Sequence, residues 1–523
     1  MRRRHLLAAL ATTTLPRPSI AQTKPLRFIP EGNLQNPDPI WTASTIARNF
    51  GYMVWDTLYG VDANLTPTPQ MVEGHSLSPD ALTWKFRLRE NLKWHDGTPV
   101  RSADCIASLA RWMKRDGLGQ RLEPVLEEMR ADNDRDFTLR LKTPFPLLLV
   151  GLSKPSAAVC FMMPERIAKT DPFKQIDDYV GSGPFRFLRN EWTPGALAAF
   201  AKFDAYAPRP EPANFTAGGK RVNFDRVEWT VIPDAATAAA AMQNGEAEWW
   251  QSPTIDLLPL LRRARGVVVE KNDKFGGIGT LRFNLQQPPF NNLKLRQALW
   301  PAIDQSDFMN AAMAGDAELS RTGVGVFTPG SPMATDIGLD ILTAPRDMDR
   351  ARRLVKESGY AGERVVFLAP TDYPVIYALA QVARDMLTKL GLNVEAVDTD
   401  WGTMIQRRGN RESVEKGGWS AFCVTWEGLS LVDPVSHFPI FGNGYKGWFG
   451  WMDSQKLEDL RTAWFAAPDL AAQKKIAEQI QTDVWDETPY YPLGQVFTPV
   501  VRRANLVDMV ASPFPLFWNL RRA

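Results

Sequence analysis

The chain has 523 residues, about three times the size of a typical domain, so one compact core is not expected. Its 61 lysines and arginines balance 59 aspartates and glutamates, which argues against a protein that neutralises a nucleic-acid backbone. Hydrophobic residues make up 44% and charged residues 23%, values that argue against a disordered chain and an integral membrane protein.

The first 21 residues have the pattern of an export signal. Basic residues at 2–4 precede a short apolar run at 6–15, and Ser19 and Ala21 supply the small side chains that a signal peptidase reads. The run is too short to cross a bilayer. The adjacent arginines also fit a twin-arginine signal, so the Sec and twin-arginine routes both stay open. We expect 1–21 to be a signal peptide and the mature protein to be periplasmic.

The predicted elements of the first half alternate short strands with single helices. Residues 82–89 and 137–142 alternate apolar and polar side chains, as half-buried strands do. A helix is predicted to begin at 102–103, with its apolar residues on one face. A later Ala-rich helix is predicted between Asp234, as N-cap, and Gly245, which terminates it.

The second half has the pattern of an α/β lobe. Its predicted elements are a strand at 279–285, a helix from Asp347 to Gly359, a strand at 365–368, a helix at 374–390, strands at 393–397 and 419–426, and a helix at 470–485. The central part is a β-α-β unit, which favours parallel strands.

Patterns for catalysis and metal binding are weak. Glu246 and Glu248 beside Trp249 and Trp250 suggest a carbohydrate-cleaving site, but an acidic helix end next to packing tryptophans explains them better. The glycines at 276–279 precede a strand, which favours a plain loop over a phosphate cradle. The four histidines are scattered, so we expect no metal site and no cofactor.

The three cysteines, Cys105, Cys160 and Cys423, are interpreted as small core residues, although a disulfide between two of them stays open.

Two of the eighteen tryptophans follow predicted strand ends. Trp401 comes just after the strand at 393–397, and Trp426 closes the strand at 419–426. Ends of adjacent strands in an α/β lobe are where ligands bind, and aromatic side chains line such sites. Spacing alone leaves both interpretations open for each tryptophan, core packing or a ligand wall.

Motifs in chain order resemble the extracytoplasmic solute-binding proteins of the dipeptide/oligopeptide/nickel family (family 5), which serve ABC importers. The most specific stretch is Trp55-Asp56-Thr57-Leu58-Tyr59, followed by residues 82–89, 92–100 and 103–104. Further matches are residues 181–185, 283–284, 288–290, 296–298, 302–304 and 351–360. The resemblance runs over essentially the whole mature chain.

The resemblance implies an α/β, periplasmic-binding-protein-like II fold, with two lobes joined by a hinge and an extra family-specific domain. The implied segments are 22–56, 181–272 and 487–523 for the first lobe, 57–180 for the extra domain and 273–486 for the second lobe. Two crossings between the lobes act as the hinge, and closure encloses the ligand.

The resemblance also implies which residues bind the ligand. The expected ligand-binding residues are Trp401, Thr425, Trp426, Glu427, Ser430 and Arg115. Peptide-binding members place an aspartate in the loop before Asp433-Pro434, where it pairs with the α-ammonium of the peptide. Here that position carries Leu429 or Ser430, so binding of ordinary peptides is in doubt.

The predicted function is therefore a non-enzymatic, monomeric receptor. It captures a small polar solute, peptide-like or other, and hands it to the permease subunits of an ABC importer, with no nucleic-acid partner. Two alternatives stay open at this point. One is a secreted hydrolase of oligosaccharides or peptides, and the other is a periplasmic chaperone or receptor that uses the same fold.

Overall fold

The computed structural model describes residues 24–42, 44–156 and 158–523, and the expected signal peptide lies outside them. The described residues form three larger β-sheets with helices packed against them. Among the helices that these residues form, none combines the length and the apolar character that a bilayer span needs.

A seven-stranded sheet organises the part of the molecule that we name the first lobe. Its strands, in spatial order, are Val267–Glu270, Val500–Arg503, Trp249–Trp250, Leu26–Ile29, Arg226–Thr230, Leu197–Lys202 and Phe185–Phe187. The strand Leu26–Ile29 lies in the middle, parallel to both of its neighbours, and the other pairs are antiparallel. Phe28 on this strand is fully buried against Trp249 and Phe517.

A six-stranded sheet organises the second lobe. Its strands, in spatial order, are Ser320–Arg321, Tyr490–Val496, Gly277–Phe283, Ala421–Glu427, Arg364–Pro370 and Asn393–Thr399. The helix Pro374–Lys389 connects the last two, which pair in parallel. The predicted β-α-β unit is thus confirmed, because a parallel pair needs a crossover of this length.

A four-stranded antiparallel sheet belongs to the extra domain. Its strands, in spatial order, are Val72–Leu77, Thr83–Leu88, Asp136–Leu141 and Leu126–Ala131. The predicted alternation is confirmed on the second of these, where Trp84 and Phe86 are buried and Lys85 and Arg87 are exposed. Two short strand pairs complete the described ladders: Tyr59–Val61 with Pro67–Pro69, and Leu506–Val507 with Arg521–Arg522.

The helices follow their sequence signals closely. The α-helices are Thr45–Val54, Ser102–Met113, Gly117–Leu122, Leu148–Ser153, Glu165–Ala168, Ala235–Asn244, Leu258–Arg263, Leu293–Ala298, Gln305–Ala312, Asp340–Thr343, Met348–Glu357, Pro374–Lys389, Trp401–Arg407, Gln455–Ala466 and Leu470–Glu487. Asp234 caps the Ala-rich helix by accepting from the Thr237 backbone N–H, and Gly245 ends it at φ 73°, as predicted.

The described chain passes between the two large sheets at two places. One crossing runs from Glu270 to Gly277, and the other runs from Val496 to Val500. The strand Tyr490–Val496 falls within the segment expected in the first lobe, yet it pairs with Gly277–Phe283 in the second sheet. We therefore propose that the return to the first lobe begins at about residue 497; the other segment boundaries stay predictions.

A buried ion pair fastens the extra domain to the first lobe. Arg111, on the helix Ser102–Met113, forms a bidentate ion pair with Asp38. Nη2 donates to Oδ2 at 2.8 Å and Nη1 donates to Oδ1 at 3.2 Å. Each side chain is 1% exposed. Asp38 also accepts from the backbone N–H groups of Ile40 and Ile176, so its charge is compensated on every side.

Replacing Arg111 by methionine tests this fastening. Arg111→Met leaves the carboxylate of Asp38 buried without its cation, and we expect the free energy of unfolding to fall by about 3–5 kcal/mol. Urea denaturation followed by circular dichroism measures the change. The control is Arg130→Met, which removes an exposed pair with Asp132 at 2.9 Å and is expected to change stability little. Equal effects of the two substitutions would contradict this role of the buried pair.

Candidate functional site

A cleft of about 730 Å³ separates the two lobes, within the range of small-molecule sites. The first lobe lines it with Glu31, Gly32, Asn33, Thr45, Ile46, Trp249, Gln251, Ser252, Ser512, Pro513, Phe514 and Pro515. The second lobe contributes Tyr373, Pro374, Val375, Ile376, Thr425, Trp426 and Glu427. The two crossings form the back of the cleft with Asn272, Asp273, Gly276, Gly277, Val496, Thr498 and Val500.

One ion pair joins the lobes across this cleft. Arg48 Nη1 lies 3.1 Å from Glu427 Oε2 and 3.4 Å from Oε1. Arg48 belongs to the helix Thr45–Val54 of the first lobe, whereas Glu427 ends the second-lobe strand Ala421–Glu427. The side chain of Arg48 is 7% exposed and that of Glu427 is 43% exposed, so the arginine is the fixed partner and the glutamate is open to the cleft.

The packing around Arg48 holds its guanidinium in place. Its Cζ atom stacks 4.3 Å from the ring centre of Phe514, a residue of the cleft wall. The Oδ1 atom of Asn49 accepts from Nε and Nη2 at 3.4 Å. A stacked and hydrogen-bonded guanidinium loses little freedom on binding an anion, so Arg48 is a preorganised donor at the cleft.

Acidic groups outnumber this cation at the cleft. Glu31, Asp273 and Glu427 line the cavity, and Arg48 is the guanidinium that acts on all three. Burial raises the pKa of Glu31, while a hydrogen bond from Thr45 and the charge of Arg48 act in the opposite direction. The charged groups that line the cleft are therefore all acidic, set among apolar and aromatic side chains.

Aromatic side chains of the second lobe form two ring pairs beside the cleft. Trp426 packs against Trp448, with ring centres 4.7 Å apart, and lines the cleft with Thr425 and Glu427. Tyr373 also lines the cleft, and Trp401 stacks behind it at 4.8 Å. The structure thus brings together Thr425, Trp426 and Glu427, and gives Trp401 a supporting position.

The other two expected residues lie elsewhere. Ser430 is on the 3₁₀ turn Gly428–Leu431 and is not among the residues that line the cleft. Arg115 donates from Nη2 to the carbonyl oxygen of Trp41 at 2.6 Å, and its guanidinium covers the ring of Phe173. These contacts place Arg115 where the extra domain meets the segment after the first strand, away from the cleft wall.

Sequence reasoning missed Arg48 and Asp273. Arg48 had a usable signal: it is a charged residue in the middle of the helix Thr45–Val54, whose neighbours Ala47, Asn49 and Phe50 are all buried. Buried arginines need partners, so such a position points to an ion pair. Asp273 lies at the boundary predicted between the lobes. Its carboxylate accepts a hydrogen bond from the backbone N–H of Phe275, a contact within the turn that the sequence pattern does not reveal.

Of the two candidate hydrolytic carboxylates, Glu246 is exposed and Glu248 is held in an ion pair. Glu248 receives two hydrogen bonds from Arg522, at 2.7 Å and 2.8 Å, and its side chain is 4% exposed. Trp249 and Trp250 are buried strand residues. This favours the packing interpretation of the Glu-Trp-Trp segment.

The glycine-rich segment serves the first crossing. Gly276 has φ 51°, and an added Cβ would lie 2.4 Å from the carbonyl oxygen of Val496 on the other crossing. Only glycine tolerates this approach and this backbone conformation without strain. Gly277 then begins the strand Gly277–Phe283, in agreement with the loop interpretation.

Histidine and cysteine side chains have structural surroundings. His437 is fully buried with Nε2 2.9 Å from the carbonyl oxygen of Val326, and burial lowers its pKa to about 4. Cys105, Cys160 and Cys423 are buried free thiols. Within residues 24–42, 44–156 and 158–523, no three His, Cys, Asp or Glu side chains come together as a metal site would require.

Asp273 gives the back of the cleft a pH dependence. Burial raises the pKa of Asp273 from 3.8 to about 6, and the Glu427 carboxylate adds to this, whereas the N–H groups of Phe275 and Gly276 and the charge of Arg48 oppose it. Between these two pH values, Asp273 keeps its proton in the folded chain but loses it in the unfolded chain. The stability that the protonated Asp273 contributes is therefore fully present below about pH 4 and is lost as the pH rises through about 6.

The substitution Asp273→Asn keeps the accepting oxygen and removes the charge. We expect this variant to be more stable than the parent at about pH 7, by roughly 1–2 kcal/mol, and equally stable at about pH 4. Urea titrations at both pH values measure the difference. The exposed Asp349, 82% accessible, provides the control Asp349→Asn, for which no such pH-dependent gain is expected. A constant difference across the pH range would refute the assignment to Asp273.

Solved structures share this architecture. The binding protein AgaA of A. tumefaciens R10, solved with agropinic acid, matches with a TM-score of 0.75 at 21% identity, covering 96% of this chain and 99% of that one. A dipeptide-binding protein of Pseudoalteromonas sp. SM9913, solved with Met-Leu, matches with a TM-score of 0.74 at 20% identity, covering 96% and 100%. The two-lobed, periplasmic-binding-protein-like II fold with an extra domain is thereby confirmed.

Sequence comparison gives the family. The chain is 35% identical over 522 residues to the probable peptide ABC transporter periplasmic-binding protein y4tO of Sinorhizobium fredii, covering 99% of this chain and 97% of that protein. The model of bacterial extracellular solute-binding proteins, family 5 (middle), matches residues 66–448. The chain belongs to the family 5 bacterial extracellular solute-binding proteins.

Proposed function

We propose that this chain is the periplasmic receptor of an ABC importer, which captures a small polar solute in the cleft and delivers it to the permease. The observation that carries the proposal is the cleft itself. Its walls come from two lobes that two crossings connect, and it has a volume suited to a small molecule. The name of the relative from S. fredii, a peptide ABC transporter binding protein, supports the importer role.

Closure of the lobes is the proposed binding mechanism. A solute that touches both walls interacts with more groups when the lobes are close, so it shifts the population toward the closed form. The aromatic wall around Trp426 supplies contact area, and Arg48 and Glu427 supply opposite charges that orient polar groups.

The solute class is peptide-like or another small polar molecule. Relatives with this fold were solved with Met-Leu and with agropinic acid, so the scaffold accommodates different chemistries. Leu429 and Ser430 occupy the loop where peptide-binding members carry an ammonium-pairing aspartate. A free α-ammonium therefore needs another carboxylate here, and Glu427, which directly precedes this loop, is one of three that line the cleft.

The proposal includes a monomeric protein without catalytic activity. The two hydrogen bonds from Arg522 to Glu248 support the absence of catalytic activity, because they occupy a carboxylate that a hydrolytic mechanism would use. A chaperone or a signalling receptor with the same fold is the competing assignment, and uptake measurements separate it from a transport receptor.

Native mass spectrometry of the purified protein tests capture directly. We expect a defined small-molecule adduct that, once released and returned to the protein, is recovered intact after prolonged incubation. Conversion of the solute would establish an enzyme instead. Loss of uptake of that solute in a strain lacking this gene supports the importer role, and unchanged uptake would favour the chaperone or receptor.

The pair between Arg48 and Glu427 predicts a measurable change of shape. Glu427→Gln removes one of the charges that join the lobes, at 3.1 Å from Arg48, so the ligand-free protein should populate a more open form with a larger radius of gyration in small-angle scattering.

A matched control lies within the second sheet. Glu395→Gln removes an ion pair of similar length, 3.0 Å to Arg364, between two strands of the same lobe. We expect no change of the radius of gyration for this variant. If Glu427→Gln is as compact as the parent protein, the pair does not contribute to closure.

A further inference from the structure

A second chamber, of about 530 Å³, lies between the extra domain and the second lobe. The extra domain lines it with Val61, Asn64, Leu65, Thr66, Pro67, Leu118, Val150, Ser153, Lys154, Pro155 and Ser156. The second lobe lines it with Gly330, Ser331, Pro332, Met333, Leu429, Val432, Asp433, Val435, Ser436, Trp464, Leu470, Gln473 and Lys474. This volume is in the range that small-molecule ligands occupy.

The chamber is lined by both apolar and polar side chains. The apolar ones include Leu118, Val150, Met333, Leu429 and Trp464, and the buried Lys154 has an acidic partner. Lys154 lies 2.5 Å from Asp116, which also caps the helix Gly117–Leu122. Burial raises the pKa of Asp433 to about 6, while the positive charge of Lys154 lowers it. The interior therefore suits an apolar group rather than an ion.

One loop contributes residues to the walls of both the chamber and the cleft. Glu427, at the end of the strand Ala421–Glu427, lines the cleft, and Leu429, two residues later, lines the chamber. Leu429 is 5% exposed. The two cavities thus border the same turn, Gly428–Leu431, which follows the strand.

We propose that the chamber receives an apolar hydrocarbon arm of the captured solute, while the polar head of the solute occupies the cleft. The inference rests on the proposed function and adds the substrate class: an amphiphilic molecule with a polar head and a hydrocarbon arm. Leu429 then offers an apolar contact to the arm at the turn between the two cavities.

The position of the chamber links its occupancy to closure. Its walls belong to two different units, which also meet where Arg121 covers the ring of Phe465 at 4.0 Å, next to Trp464 of the chamber wall. An arm held between these walls contacts both units at once. It therefore stabilises the same compact form that the head stabilises in the cleft.

Straight-chain alcohols from butanol to decanol are the probe for the chamber, because they carry a hydrocarbon arm with a minimal head. Isothermal titration calorimetry on the full mature chain measures their binding. We expect each added methylene to tighten binding about three- to fourfold until the chamber is full, after which affinity levels off.

Two substitutions with opposite effects identify the chamber as the site. Ser436→Trp fills it and should weaken octanol binding at least tenfold. Met333→Ala enlarges it and should move the plateau to longer alcohols. Thr425→Trp obstructs the cleft instead and should leave the alcohol series unchanged. Circular dichroism and urea denaturation establish that each variant is folded.

The result separates this inference from the proposed function. The chamber assignment is overturned if the alcohols show no saturable binding. It is also overturned if Thr425→Trp abolishes their binding and Ser436→Trp does not. Either outcome leaves the proposal of capture in the cleft intact. The adduct seen by native mass spectrometry gives a second readout. It should carry a hydrocarbon arm and be lost from Ser436→Trp; an unchanged adduct in that variant also overturns the assignment.

Discussion

The passage of the chain between the two large sheets at two adjacent crossings is the constraint on which the rest of the described structure depends. At the first crossing, Gly276 approaches the carbonyl oxygen of Val496 on the second, and its carbonyl accepts from the N–H of Gly428 at 2.7 Å. Gln495 reaches Phe275 at 2.6 Å. The two crossings are thus tied together by close packing and hydrogen bonds, which makes them the joint around which we propose that the lobes close.

Charge placement around the crossings gives this geometry a preferred state. Arg48 and Glu427 attract each other near the back of the cleft, where Glu427 pairs with Gly277, and Asp273 beside them is held in a setting that disfavours its ionised form. The ion pair and the buried carboxylate lie together where the two lobes meet. The balance between open and closed forms is therefore sensitive to a ligand that brings its own charges.

Local structure was predictable because it depends on nearby residues. The alternating pattern at 82–89 correctly predicted a strand, and Asp234 correctly predicted the start of a helix. Both signals depend on side chains only a few positions apart. Thr425, Trp426 and Glu427 line the cleft from the end of their strand, and their role in ligand binding stays a prediction. The family resemblance supplied the arrangement of lobes that no local pattern contains.

Long-range partnerships were not predictable from patterns. Arg48 and Glu427 are 379 positions apart in the chain, and nothing in either neighbourhood specifies the other. The strand Tyr490–Val496 lacks a clear alternation, and its membership of the second sheet depends on pairing with Gly277–Phe283. Arg115 was expected at the cleft because of its place in the chain, but its side chain contacts Trp41 and Phe173 instead.

The segment from Glu427 to Ser436 has a consequence for how selectivity changes in such a scaffold. It borders both cavities, and after Glu427, which pairs with Gly277, its residues lie outside the two large sheets. Substitutions at the chamber-lining positions Leu429, Val432 and Ser436 would change what the protein recognises, whereas Glu427 and Gly428 contact the first lobe and the first crossing. Specificity and mechanics are, in this sense, separately evolvable traits of one chain.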